Sequence, residues 1–191
     1  MARLILLNGP PGSGKSTIAK MYVVRHRLAL NLDVDMLRSL IGGWQDAPQE
    51  SGLLARQAAL AAAAAHLGAG HDVVVPQYLG RADFIEQLAG LAGHVDARFH
   101  EVVLMTSRDE AVRRFDERSR SAAEQAHLDA QKMSGLEGAA DPVGAMYDRL
   151  TRLLADRPAA AVVASLTDRP ADTYERVVQA LTAREPQGTQ R

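Results

Sequence analysis

The chain has 191 residues, of which 47% are hydrophobic and 24% charged, and its formal net charge is −1 at pH 7. This length and mixture are typical of one globular domain with a full core, and the balanced charge does not favour a nucleic-acid partner. The chain contains no cysteine, which excludes disulfides, thiolate catalysis and cysteine metal sites. A cytoplasmic protein is the expectation, because a chain without disulfides suits a reducing compartment.

Strand-like and helix-like segments alternate along the whole chain. The strand-like runs are residues 3–8, 28–34, 72–77, 99–105 and 159–166, and the helical patterns are residues 15–26, 35–41, 49–67, 83–91, 109–133, 142–156 and 171–182. Alternation at these lengths predicts an α/β fold with a five-stranded parallel sheet and helices on both faces. The longest apolar run, residues 58–65, is too short to span a bilayer, so no membrane partner is expected. We expect a single domain over residues 1–184 and a polar tail over residues 185–191.

A glycine-rich run follows the first strand-like segment. Residues 9–17 read Gly-Pro-Pro-Gly-Ser-Gly-Lys-Ser-Thr and fit the pattern G-x-x-x-x-G-K-[ST]. Such a loop turns successive backbone N–H groups toward one anion, and the helix that follows adds its partial positive charge. Lys15 would then reach the β- and γ-phosphates, and the Ser16 hydroxyl would hold Mg²⁺. The run predicts binding of a nucleoside triphosphate with Mg²⁺ by Gly9, Pro10, Pro11, Gly12, Ser13, Gly14, Lys15, Ser16 and Thr17.

Two carboxylates and an arginine follow the second strand-like run. Asp33 and Asp35 alternate on what we expect to be extended chain, so that both side chains point the same way. The Asp35 carboxylate could orient an acceptor hydroxyl beside the γ-phosphate and take its proton, while a helix N-cap is the alternative role for this residue. Arg38 lies one helical turn further and could anchor the acceptor or steady Asp35. Asp33 is either a magnesium ligand or a plain strand terminus.

The segment 109–133 is rich in arginine. Arg114 and Arg118 are spaced i, i+4 and share one helix face, with Arg113 and Arg120 beside them. Arginines that close over a triphosphate stabilise the charge of the transferring oxygens, and a solvated helix face is the alternative. Trp44, after two glycines, is either an acceptor-binding aromatic or a packed surface residue.

These features resemble the small P-loop kinases of the nucleoside-monophosphate-kinase type. The spacing from Asp35 to Arg38 and from Arg114 to Arg118 is similar to that of polynucleotide 5′-hydroxyl kinases. Leu7-Asn8-Gly9 resembles chloramphenicol phosphotransferase. Val75-Pro76 and Leu104-Met105-Thr106-Ser107 resemble tunicamycin-resistance-type ATP-binding proteins.

The resemblance implies a three-layer P-loop NTPase fold with a helical lid over residues 109–133. It also implies transfer of the γ-phosphate of ATP to a hydroxyl, with Lys15, Asp35, Arg38 and Arg118 as catalytic residues, Arg114 and Arg118 on the nucleotide, and Mg²⁺ on Ser16 and Asp33. The expected acceptor is a small molecule, such as an antibiotic, a nucleoside or another metabolite, bound by a monomer or homodimer. A polynucleotide 5′-hydroxyl kinase and an ATP-binding resistance or regulatory protein without turnover are the alternatives. Many relatives have an acidic residue after the third strand, and this chain has Gln77 there.

Overall fold

Five parallel strands form the centre of the molecule. The computed structural model describes residues 1–119 and 141–183, and for residues 118 and 119 it describes only the backbone. The strands are β1 (Arg3–Asn8), β2 (Leu30–Asn31), β3 (Val73–Pro76), β4 (Arg98–Met105) and β5 (Ala161–Ala164). Their order in the sheet is β2-β3-β1-β4-β5, and every neighbouring pair is parallel. The predicted five-stranded parallel sheet is therefore confirmed.

Seven helices cover the sheet within the described residues. They are α1 (Lys15–Arg25), α2 (Val34–Ser39), α3 (Pro48–Gly68), α4 (Asp83–His94), α5 (Arg108–Ser119), α6 (Pro142–Ala155) and α7 (Pro170–Thr182). Each begins within two residues of its predicted start. The later part of the expected lid, residues 120–133, and the tail 185–191 lie outside the described residues.

Alternate side chains of β1 enter two different core layers. Leu4 and Leu6 pack in the cluster that contains the buried residues of α3 and α4, whereas Ile5 and Leu7 pack against α1 and α7. Because both faces of the strand are covered, its sequence is continuously apolar. The alanine-rich α3 buries Ala55, Ala59 and Ala63 completely, and this spacing of four places small side chains along one face of the helix. The helices on both faces establish the three-layer α/β fold.

The second strand is shorter than predicted. The run 28–34 forms only the two-residue β2, because Leu28 adopts a left-handed φ of 61° and Asp33 already caps α2. All five strands nevertheless run in the same direction, so their carboxyl ends form one edge of the sheet, where ligands bind in open α/β folds. Within residues 1–119 and 141–183, no helix is long and apolar enough to cross a membrane.

Candidate active site

The glycine-rich loop joins β1 to α1 and places Gly9, Gly12 and Gly14 at positive φ. Gly9 has a φ of 149°, and a Cβ built on it would lie 2.5 Å from both the Leu104 carbonyl oxygen and Ser13 Oγ, so no other residue fits there. Gly14 adopts a φ of 86° and immediately precedes α1, whose N-terminus receives no hydrogen bond from a capping side chain. The first-turn N–H groups of α1 therefore point toward the loop without a side-chain acceptor.

Lys15 curls back over this loop. Its Nζ donates to the carbonyl oxygens of Gly9 and Pro10, over 2.9 Å each. Ser16 follows in the first turn of α1 and is exposed to solvent. Its hydroxyl oxygen and the carboxylates after β2 are ligand types that suit Mg²⁺. In the part of the chain that the structure describes, no group of three or more His, Cys, Asp or Glu could hold a metal, so Mg²⁺ would also need oxygens of the nucleotide and water.

Asp33, not Asp35, caps α2. Asp33 Oδ1 accepts hydrogen bonds from the backbone nitrogens of Asp35 at 3.0 Å and Met36 at 3.2 Å. The expectation that Asp33 and Asp35 alternate on extended chain is wrong, because β2 ends at Asn31 and Asp35 lies in the first helical turn. The cap alternative for Asp35 is wrong for the same reason. Asp33 as a magnesium ligand stays a prediction.

Asp35 stands between the phosphate loop and the end of β3. Gln77 Nε2 donates to both of its carboxylate oxygens over 3.4 Å each. The carboxylate is open to solvent on one side, yet the protein atoms around the rest of it desolvate it. This desolvation, together with the negative charge of Asp33, raises the pKa of Asp35. The hydrogen bond from Gln77 and the positive charge of Lys15 oppose that increase in pKa, so Asp35 lies within electrostatic reach of the residue expected on the γ-phosphate.

Arg38 is buried and joins α2 to the start of α3. Only 2% of its surface is exposed. Its Nε donates to Ser51 Oγ at 2.9 Å and its Nη2 to the Pro48 carbonyl at 2.6 Å, while the guanidinium lies 5.2 Å from the centre of the Trp44 ring. Arg38 therefore fixes the α2–α3 loop, and its role toward an acceptor stays a prediction.

Trp44 is half-buried beside Arg38 and also faces an open cleft. The cleft has a volume of about 200 Å³, and its lining includes Ile41, Gly43, Trp44, Ala47, Glu50 and Leu54. The two roles considered for Trp44 are thus compatible, because one face of the ring is packed and the side chain still borders a space.

Asn8 is a site residue for which the sequence analysis proposed no role. It is fully buried at the end of β1. Its Oδ1 accepts from Gly9 N at 2.8 Å and Leu79 N at 2.9 Å, and its Nδ2 donates to the Leu79 carbonyl at 3.0 Å. Asn8 thus ties the phosphate loop to the loop after β3. The sequence feature that could have indicated this role is an amide residue at the end of an otherwise apolar buried strand.

Arg114 links α5 to the phosphate loop through Ser165. Its Nε donates to Glu110 Oε1 at 2.7 Å and its Nη1 to Ser165 Oγ at 3.1 Å, while Ser165 Oγ donates to the Ser13 carbonyl at 2.9 Å. Arg113 instead pairs with Glu110 and Glu117 on the exposed side of the helix. For Arg113 this is the alternative role considered above, that of a residue on a solvated helix face. The Arg118 side chain and Arg120 lie outside the described residues, so their roles stay predictions.

The comparisons with known proteins agree with this architecture. Residues 4–135 match the model of the family AAA_33, described as an AAA domain. No curated protein matches the chain significantly in sequence. The crystal structure of APE1195 is similar, with 17% identity, a TM-score of 0.66 and coverage of 96% of both chains.

Two further solved structures have the same fold. A gluconokinase from Sinorhizobium meliloti 1021 is 18% identical with a TM-score of 0.56, over 94% of this chain and 91% of that chain. A chain of the Pnkp1/Rnl/Hen1 RNA repair complex is 15% identical with a TM-score of 0.53, over 80% of this chain and 46% of that chain. At these identities the likeness is one of fold, and the chemistry has to be argued from the site itself.

Proposed function

Because the chain belongs to the AAA domain family AAA_33, we propose that it is a P-loop kinase of the nucleoside-monophosphate-kinase-like type and that it transfers the γ-phosphate of ATP to a hydroxyl group of a small molecule. The observation that carries the proposal is the placement of Asp35. An ionisable carboxylate, open to solvent on one side, lies within electrostatic reach of Lys15 and is held by Gln77. A general base for a hydroxyl acceptor needs such a position beside the γ-phosphate.

The proposed reaction is a direct in-line transfer. The oxygen of the acceptor hydroxyl forms a bond to the γ-phosphorus while Asp35 takes the proton of that hydroxyl. The bond from the γ-phosphorus to the β–γ bridging oxygen breaks, and ADP is released. Lys15 would exchange its carbonyl partners on Gly9 and Pro10 for phosphate oxygens. Ser16 and the phosphates would hold Mg²⁺, which would supply positive charge against the negative charge of the transferring group. Arg114 and Arg118 are proposed to add positive charge on the nucleotide side.

Phosphoryl transfer from [γ-³²P]ATP with Mg²⁺ tests this proposal. The acceptor panel holds neutral and anionic small hydroxyl compounds, nucleosides, chloramphenicol and a 5′-hydroxyl oligonucleotide. Asp35→Asn should still bind ATP and should lose at least about a hundredfold in transfer rate, the lower end of general-base contributions. Asp156→Asn, an exposed carboxylate at the end of α6, is the matched control.

Two other results would replace the proposal, and a third would revise the role of Asp35. Label transferred only to the oligonucleotide would make the protein a polynucleotide 5′-hydroxyl kinase. ATP binding without transfer to any acceptor would favour the resistance or regulatory alternative. Normal transfer by Asp35→Asn would remove Asp35 from the reaction.

A further inference from the structure

The first two turns of α5 pack directly against the phosphate loop. Gly12 of that loop has a φ of 82°, and a Cβ built on it would lie 3.1 Å from Arg114 Cβ and 3.2 Å from the Ala111 carbonyl oxygen. Ala111 and Phe115 are buried on this side of the helix, so packing holds the helix there. The base of the Arg114 side chain is therefore fixed beside the loop, and the direction of its guanidinium has to be set by other contacts.

Three side chains hold the Arg114 guanidinium, and they come from two parts of the fold. Its Nε donates to Glu110 Oε1 at 2.7 Å, its Nη1 to Ser165 Oγ at 3.1 Å and its Nη2 to Thr167 Oγ1. Glu110 lies one turn earlier on α5, whereas Ser165 and Thr167 belong to the segment between β5 and α7. Only 14% of the Arg114 side chain is exposed. Because bonds from all three nitrogens fix the plane of the group, the guanidinium has a single orientation in this arrangement.

Glu110, Thr167 and Arg114 form a closed ring of hydrogen bonds. The Thr167 hydroxyl donates to Glu110 Oε1 at 2.6 Å, and this carboxylate oxygen also accepts from Arg114 Nε. The Thr167 oxygen in turn accepts from Arg114 Nη2, so each of the three side chains is bonded to the other two. The ring joins α5 to the segment after β5, and it therefore fixes the position of the helix as well as the direction of the arginine.

Glu110 is more than one half of an exposed i, i+4 ion pair, an interaction that usually contributes little. Only 20% of its side chain is exposed. Hydrogen bonds from Arg113, Thr167 and Arg114 hold the pKa of its carboxyl below the ordinary value, so it remains an ionised acceptor at neutral pH. Glu117 lies on the same helix and is 55% exposed, and it pairs with Arg113 on the solvent side. The two glutamates of α5 thus have the same charge and different surroundings.

The orientation that Glu110 imposes leaves part of the guanidinium for a ligand. Arg114 Nη1 carries two hydrogens, and within the described part of the chain its bond is to Ser165 Oγ. The Ser165 hydroxyl donates to the Ser13 carbonyl at 2.9 Å, so one hydroxyl group lies between Arg114 and the phosphate loop. The second hydrogen of Nη1 is the group that an anion bound by the loop would use.

We propose that Glu110 is a positioning residue, which with Thr167 directs the Arg114 guanidinium toward the nucleotide before the triphosphate binds. An arginine that is already ordered does not lose side-chain freedom when the ligand arrives, so binding is not weakened by that loss. The inference rests on the proposed function, in which Arg114 contacts the nucleotide. It gives a carboxylate beside a polyanion a favourable role, whereas the charge of Glu110 alone would repel the triphosphate.

The test measures the Kd of the non-hydrolysable analogue AMP-PNP with Mg²⁺ by isothermal titration calorimetry, well below the melting temperature of every variant. Glu110→Ala should raise the Kd at least about fivefold, as expected for the loss of a charge-assisted hydrogen bond. Glu110→Gln should raise it less, because the amide oxygen still accepts from Arg114. Glu117→Ala, which removes the same charge from the same helix, is the matched control and should bind as the wild type does.

Two further measurements separate positioning from charge and from stability. In an Arg114→Ala background, Glu110→Ala should no longer raise the Kd, because the residue through which it acts is gone. Thr167→Val changes no charge and removes the hydroxyl that bonds to both Glu110 and Arg114, so it should raise the Kd about threefold or more. The second variant also keeps the test decisive if Glu110→Ala does not fold.

Three results would overturn the proposal. An unchanged or lower Kd in Glu110→Ala would show that its charge outweighs any positioning. An equal rise in Kd with and without Arg114 would show that Glu110 acts by another route. A lower melting temperature of unliganded Thr167→Val with a wild-type Kd would show that the ring supports the fold alone. Failure of the proposed function has a different signature, namely no transfer to any acceptor or normal transfer by Asp35→Asn, and the binding measurements do not depend on it.

Discussion

The side-chain amide of Gln77 donates to both carboxylate oxygens of Asp35, although the two residues are 42 positions apart in the chain. The backbone nitrogen of Gln77 donates to the Leu7 carbonyl oxygen at 3.1 Å. This bond continues the β1–β3 pairing and fixes the position from which the Gln77 side chain extends. An acidic residue at this position would repel Asp35, whereas the amide donates to it and holds its pKa lower than it would otherwise be. Gln77 is therefore compatible with the proposed role of Asp35 as the base, and its presence does not argue against that proposal.

We expect Gln77→Glu to lower the rate constant of phosphoryl transfer at least about tenfold with little change in ATP affinity. The substitution removes the hydrogen bond to Asp35, and a hydrogen bond to a charged group contributes about 1.5–3 kcal/mol. The measurement is kcat and KM for the best acceptor of the panel, with the exposed Gln57→Glu as control. An unchanged kcat would show that Asp35 is oriented without Gln77.

Lys15→Ala should largely abolish stabilisation of the protein by ATP and Mg²⁺. A ligand at a hundredfold excess over its Kd stabilises the native state by about 2.7 kcal/mol. The measurement is the shift in melting temperature on addition of Mg·ATP, and Lys20→Ala, which removes an exposed lysine of α1, is the control. Equal shifts in wild type and Lys15→Ala would contradict the phosphate-loop assignment.

The sequence predicted those parts of the molecule that depend on neighbouring residues. β1 begins and ends at its predicted residues, because an apolar run and a glycine loop define it locally. The predicted second strand was too long at both ends. The left-handed backbone of Leu28 and the capping of α2 by Asp33 are decided by contacts that apolar patterning does not reveal.

Contacts between distant residues escaped prediction. Asn8 meets Leu79 across 71 positions and Ser165 meets Ser13 across 152, and no pattern within one segment encodes either pair. Spacing placed Arg38 one helical turn from Asp35, and its positive charge does oppose the increase in the pKa of Asp35. Spacing did not reveal that the Arg38 guanidinium also donates to Ser51 and Pro48.

Asn8→Ala should destabilise the fold and weaken ATP binding together. Three backbone groups of Gly9 and Leu79 lose their partner, and each buried polar group left unsatisfied costs about 1–3 kcal/mol. Urea denaturation measures the free energy of unfolding, and the control is Asn31→Ala, because Asn31 Oδ1 accepts no hydrogen bond within the described residues. Equal losses of unfolding free energy in the two variants would mean that the hydrogen bonds of Asn8 make no specific contribution to stability.

Asp72 lies at the end of the sheet opposite the site, and its stabilisation of the fold should be lost in acid. Burial alone would raise the pKa of Asp72, but hydrogen bonds from Tyr22 and Arg3 outweigh it and hold this pKa below 3.8, its value in the unfolded chain. A carboxylate whose pKa is lowered in the folded state stabilises the fold above its unfolded pKa, and the contribution is lost as the pH falls through the folded pKa. We therefore expect Asp72→Asn to be less stable than the wild type at pH 7 and the difference to shrink below about pH 4. Unfolding free energies across this range check it, with Asp156→Asn as control, and a pH-independent difference would contradict the linkage.

Ser165→Ala should weaken nucleotide binding although Ser165 belongs to neither the phosphate loop nor α5. Its hydroxyl donates to the Ser13 carbonyl and accepts from Arg114, and only 8% of its surface is exposed. The alanine leaves the carbonyl without this donor and Arg114 without one of its acceptors, and each lost hydrogen bond is worth about 0.5–1.5 kcal/mol.

If those bonds hold the loop and Arg114 in the conformation that binds phosphate, the Kd for Mg·AMP-PNP should rise by roughly three- to tenfold, since about 1.4 kcal/mol corresponds to tenfold. Isothermal titration calorimetry measures the Kd. Ser39→Ala is the control, because among the described residues that hydroxyl donates only to the Met36 carbonyl, at the exposed end of α2. A lower unfolding free energy in Ser165→Ala with an unchanged Kd would show that the contact supports the fold alone. A raised Kd would establish that Ser165, directly after β5, helps to shape the nucleotide site.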